Sequence, residues 1–246
     1  MSMDSKEFSP LFYRIAAACC AYYVVAQLLQ EIIFHMGIND SASGEAEILQ
    51  RLTFADQLRA AALLLGFSLI PILAAYAAVA LRRFLLRPAT SVLGFSFALL
   101  FVGSEAGVRS IDLFLVSKKW AIAYKTTTDP TIRAGIARQI QTWDDAVGAF
   151  YFALLGAHLL SSLCFALATW DRKSFWARIV AAGFAASTVE CASRLAEAYL
   201  GQTWLTGLNY AAYFPIVLLN FGTLAVWLWR QASNFPPGFR RESPAS

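Results

Sequence analysis

The sequence predicts an all-α, polytopic membrane bundle of six transmembrane helices. Three observations predict it. Apolar residues make up 58% of the 246-residue chain and charged residues only 15%, against about 25% charged in an average soluble domain. Six apolar segments each supply the ~20 residues needed to cross a hydrocarbon core. The lysines and arginines fall mainly in the connections between those segments. With a net charge of only +4, this pattern reads as topology signals and not as a nucleic-acid-binding patch. Membrane lipids are the expected surroundings, and no nucleic acid partner is expected.

The first span covers about 11–36 and the second about 56–81, with Pro71 near its middle. That proline removes a backbone donor and should kink the helix. The third span covers about 89–116, the fourth about 143–169 and the fifth about 175–200. The sixth covers about 204–229 and contains Pro215. Between the third and fourth, Thr128 or Asp129 can cap a helix that opens with Pro130. Ile132, Ile136, Ile140 and Trp143 then recur at helical spacing, which predicts a short helix lying along the membrane surface. Residues 1–234 form one transmembrane domain, and the Pro-, Ser- and Arg-rich stretch 235–246 reads as a disordered tail.

One side of the membrane would carry Lys6, Arg14, Arg82, Arg83, Arg87, Arg172, Lys173, Arg178, Arg230, Arg240 and Arg241. The other would carry Arg51, Arg59, Lys118, Lys119, Lys125, Arg133 and Arg138. The first group is larger, so both termini are expected in the cytoplasm, with the chain in a bacterial inner membrane. Tryptophans at the span ends, Trp227 and Trp229 among them, read as interface anchors.

The strongest local signal occurs twice. Glu105, Arg109 and Asp112 lie in the third span; Glu190, Arg194 and Glu197 lie in the fifth. Each set reads acid, Arg, acid at i, i+4 and i+7. Its members fall within an arc of roughly 60° on a helix of about 3.6 residues per turn. A charge in hydrocarbon costs about 2.5–3.5 kcal/mol on insertion scales and is rarely left facing lipid. Two polar stripes are therefore expected to look into a shared interior. Their partial likeness extends to the preceding helices, and it predicts a repeat of two parallel helical hairpins, spans two–three and four–five.

A rise of about 1.5 Å per residue puts Glu105 about 24 Å along the third span and Glu190 about 23 Å along the fifth. Gln27, Gln30 and Glu31 reach about 24 to 30 Å along the first. Asp56, Arg59, Asp144, Asp145 and Asn209 begin neighbouring spans at the same level. The simplest arrangement is a polar cavity open to the periplasmic side. It would hold Glu31, Asp56, Glu105, Asp112, Asp144, Asp145, Glu190 and Glu197 against Arg59, Arg109 and Arg194, a surplus of five negative charges.

Crowded carboxylates in a low dielectric do not all ionise. The expected guest is thus a small molecule, a proton or a cation, bound or moved by a transporter or sensor component. The expected ligand-binding residues are Glu31, Glu105, Arg109, Asp112, Glu190, Arg194 and Glu197. The two arginines could instead grip the carboxylate of an amphiphile. One alternative is a non-catalytic scaffold whose Glu–Arg pairs only lock helices together. Another is a membrane-embedded enzyme that modifies a lipid through paired carboxylates.

His35 and His158 stand at different depths, which argues against a shared haem or metal. No phosphate loop, zinc-protease helix or nucleophile elbow is present. No cofactor is expected, and no residue is assigned to catalysis. Cys19, Cys20, Cys164 and Cys191 lie in apolar segments without metal-ligand spacing and read as buried thiols.

Tyr13, Arg14, Ile15 and Ala16 open the first span, and Phe54 and Asp56 follow a polar loop before the second. This pattern resembles an uncharacterised bacterial family of six-helix membrane proteins in which an early Tyr-Arg-x-Ala precedes the first span. The resemblance covers most of Leu11 to Trp229 and implies the same six-span build. The family is a domain of unknown function, so it implies no activity and no functional residue.

Overall fold

The computed structural model describes residues 9–35, 61 and 63–233. Asp56, Arg59, Phe54 and the tail 235–246 lie outside them. Every regular element among the described residues is helical. Six helices are long and apolar enough to cross a bilayer: α1 (Pro10–His35), α2 (Leu63–Phe84), α3 (Pro88–Thr126), α4 (Pro130–Thr169), α5 (Phe175–Leu200) and α6 (Thr203–Ser233).

Their surfaces are inverted relative to a soluble protein. On α1, Gln27 and Gln30 are each 6% exposed, while Leu28 and Leu29 between them are 40% and 45% exposed. On α5, Val189 is 70% exposed and its neighbour Glu190 only 9%. Leucine outside and carboxylate inside is stable only where the surroundings are apolar. The chain is built as a multi-pass membrane protein.

Local sequence explains most of the boundaries. Asp129 caps α4 by accepting from the backbone N–H of Thr131 at 2.7 Å, and Pro130 occupies the first helical position. Ser174 caps α5 through the Ala177 N–H at 3.2 Å. Gly201 ends α5 in the left-handed region at φ 67°, a conformation that glycine adopts without steric cost. In α2, Pro71 cannot donate to the carbonyl of Phe67. The helix breaks at Phe67–Ser68, where Ile70 N–H takes the Phe67 carbonyl at 3.0 Å. In α6, the turn that follows Pro215 widens to a π-helix over Leu218–Gly222.

The helices close a ring in chain order. Each packs against the next, and α6 returns to α1. At Gly183 of α5, an added Cβ would stand 2.9 Å from the Asn220 Cα of α6. Only a hydrogen at that position lets the two backbones meet so closely. The half of the ring nearer the described termini is filled by aromatics. Tyr76 stacks on Phe165 at 5.4 Å, and Phe184 lies against both.

The connection after α3 differs from the expected surface helix. α3 continues to Thr126 through a π-helical stretch, Asp112–Trp120, and α4 is unbroken for 40 residues. At about 1.5 Å per residue α4 spans about 60 Å, roughly twice a hydrocarbon core. The two helices project from the bundle as a hairpin with its own small core of Val116, Ala121, Tyr124, Ile136 and Ile140. The predicted apolar stripe thus packs on α3 and not on lipid; Ile132 at its start is 52% exposed. This hairpin and the broken α2 also make spans two–three and four–five unlike in build. Trp227, read as an interface anchor, is instead buried, with Arg83 5.8 Å above its ring.

Candidate functional site

The two polar stripes look into one cavity of about 270 Å³ in the ring's interior. Every span contributes to its wall. α3 supplies Glu105 and Arg109; α5 supplies Glu190 and Arg194; α1 supplies Gln27, Gln30 and Glu31. Gly66 of α2, Tyr151 and His158 of α4, and Tyr213 of α6 complete the polar and close-packed part. Phe101, Leu154, Leu155 and Phe221 give the wall its apolar part. The buried aromatics Tyr76, Phe165 and Phe184 fill the bundle toward the end bearing the described termini.

The acids and arginines are paired along their own helices. Arg109 Nε donates to Glu105 Oε1 at 2.7 Å. Arg194 Nε donates to Glu190 Oε1 in the same i, i+4 arrangement. The carboxylates are the more hidden members, with side chains 10% and 8% exposed against 25% and 26% for the guanidinium partners. Each arginine is also held by another span. An added Cβ at Gly66 would lie 3.3 Å from Arg109 Cγ, so the glycine makes room for the arginine stem. The Arg194 guanidinium lies 4.7 Å from the ring centre of Tyr213, a cation–π contact.

Tyrosines tie the pairs into one electrostatic unit. Tyr151 is within Coulombic reach of Glu105, Arg109, Glu190 and Arg194 together. Tyr23 is within reach of both glutamates. Tyr213 donates its hydroxyl to Gln27 Oε1, which joins α6 to α1. His158 rests against Phe101, with ring centres 4.3 Å apart. Its Nδ1 is buried and has no hydrogen-bond partner among the described residues.

Five of the seven residues expected to bind a ligand line this cavity: Glu31, Glu105, Arg109, Glu190 and Arg194. Asp112 and Glu197 do not. Asp112 accepts from Trp143 Nε1 of α4 at 2.6 Å. Glu197 accepts from Asn209 Nδ2 of α6 at 2.5 Å, and Asn209 accepts in turn from Ser193 at 2.5 Å. Asp144 and Asp145 are exposed on the projecting hairpin.

The five-charge surplus is therefore not concentrated in the cavity. Its described lining formally carries three acids and two arginines, a surplus of one negative charge. Among the described residues no three His, Cys, Asp or Glu side chains are grouped to hold a metal ion.

Nothing in the sequence singles out Tyr23, Tyr151 or Tyr213, and His158 enters there only through its depth, which argues against a shared haem or metal. A tyrosine in an apolar run carries no signal of which way its hydroxyl points. The one available hint was position: Tyr151 lies about 27 Å from the far end of α4, level with the glutamates.

No family model, curated protein or solved structure matches this chain.

Proposed function

We propose that the protein binds a small polar guest in this intramembrane cavity, as a transporter or as the sensing part of a larger assembly. The observation that carries the reading is the convergence of polar groups from separate spans on one cavity. Buried charges in a membrane bundle are costly, and they commonly mark substrate or ion pathways. The sorting of Lys and Arg supports placing both termini in the cytoplasm, and the proposed setting is a bacterial inner membrane. The cavity would then open toward the outside, since the aromatic plug fills the cytoplasmic half.

A scaffold role has a claim on the same residues. Gly66 against Arg109, and Tyr213 against Arg194, are contacts that would lock helices whether or not a guest binds. Native mass spectrometry of protein released from membranes separates the two readings. Wild-type protein should carry a bound small molecule in stoichiometric amount. Ile216→Trp, which fills the cavity from an apolar wall position, should lose it while still folding. Equal occupancy in both proteins, or none in the wild type, favours the scaffold.

A further inference from the structure

We infer that the guest presents an oxyanion, a carboxylate or phosphate group, to the guanidinium groups of Arg109 and Arg194. This deepens the reading above and rests on it. Both arginines meet their glutamates through Nε. The terminal amino groups of each fork have no hydrogen-bond partner among the described residues. The carboxylates are more buried than the arginines that cover them. A guest entering the cavity therefore meets guanidinium donors before carboxylate acceptors.

Two phenols add to the donor side. Tyr23 is 6% exposed and Tyr151 is half-buried; both line the cavity. Tyr23 lies within Coulombic reach of both glutamates, and Tyr151 of both Glu–Arg pairs. An oxyanion accepts from phenol and guanidinium alike. A guanidinium fork presents paired N–H donors that match a planar carboxylate or a phosphate edge.

A bare cation finds less here. One oxygen of Glu105 and one of Glu190 is already taken by arginine, and among the described residues the acids are not grouped as a cage. The volume of about 270 Å³ suits a small anion or a headgroup, being at the low end of ligand cavities. The apolar wall at Leu154, Leu155 and Phe221 would accommodate the first carbons of an attached chain.

The test uses the full-length protein in nanodiscs of zwitterionic lipid. Three probes are titrated separately: decanoate, inorganic phosphate and decylammonium. Calorimetry and the melting temperature are followed. Decanoate or phosphate should bind saturably and raise the melting temperature, and decylammonium should not. Binding of decanoate alone assigns a membrane-derived amphiphile; binding of phosphate assigns a soluble ion.

The paired replacement Glu105→Gln with Arg109→Gln removes one guanidinium without stranding a buried charge. It should weaken oxyanion binding at least tenfold. Tyr151→Phe, which removes only a hydroxyl, should weaken it severalfold and serves even if the paired variant does not fold. Saturable binding of decylammonium alone overturns the oxyanion assignment and leaves the cavity reading standing. Binding of none of the three to cooperatively melting protein overturns both. Unchanged oxyanion affinity in Tyr151→Phe, or in a folded paired variant, also overturns the assignment.

Discussion

On α3, Glu105 pairs with Arg109 and Asp112 reaches sideways to Trp143 of α4; on α5, Glu190 pairs with Arg194 and Glu197 reaches sideways to Asn209 of α6. The first two members of each set face the cavity and the third fastens a neighbouring helix. The supports differ. Arg109 lies on a glycine of α2, whereas Arg194 lies on the ring of Tyr213. The same spacing thus yields the same ion pair, but its surroundings are set by whichever helix packs beside it.

The largest effects should come from breaking one pair on one side. Arg109→Ala or Arg194→Ala leaves a buried carboxylate without its partner, which costs about 3–5 kcal/mol. Arg194→Ala should be the worse by about 0.5–1 kcal/mol, because it also forfeits the contact with Tyr213. Thermal unfolding in detergent reads both. Adding Glu105→Gln or Glu190→Gln to the matching variant should restore much of the loss. If the single variants melt as the wild type does, the pairs are fully solvated and their burial in the cavity wall is wrong.

Glycines sharpen the contrast at a smaller scale. Gly183→Ala sets a methyl 2.9 Å from backbone of α6, and the seam must open at a cost of about 1–3 kcal/mol. Gly66→Ala meets only the flexible stem of Arg109 at 3.3 Å, and should cost about 1 kcal/mol or less. Denaturation of the two variants side by side checks the order. The reverse order would mean that Arg109, not the α5–α6 seam, is the rigid element.

Part of this was legible in the sequence. Hydrophobic runs fixed the number of spans, and Pro71 marked the break in α2 because a missing N–H acts locally whatever surrounds it. Asp129 and Pro130 marked the start of α4 for the same reason. The stripe of Ile136 and Ile140 announced an apolar partner, but periodicity alone does not say whether that partner is lipid or another helix.

The spacing puts the third acids on the cavity face only if the helix stays regular and keeps that face toward the interior. Asp112 is the first residue of the π-helical stretch, and at two turns from Glu105 a different neighbour is within reach. Tyrosine hydroxyls gave no warning, since orientation is decided by tertiary packing.

The smallest effects should come from the fastening acids. Trp143→Phe removes the donor to Asp112 and should cost about 1 kcal/mol. Asn209→Ala removes the donor to Glu197 and should cost a similar amount. Neither should change guest binding at the cavity, and a loss of binding in either would bring the third acid back into the site.

The two Glu–Arg pairs share one interior, and a double-mutant cycle measures that sharing. One arm replaces Glu105 and Arg109 by Gln, the other replaces Glu190 and Arg194 by Gln, and unfolding free energies are measured for each arm and for the combination. Pairs that share Tyr151 in one cavity should be coupled, by about 0.5–3 kcal/mol. Additivity within about 0.3–0.5 kcal/mol would contradict the account, since it is the behaviour of separate locks on separate helices.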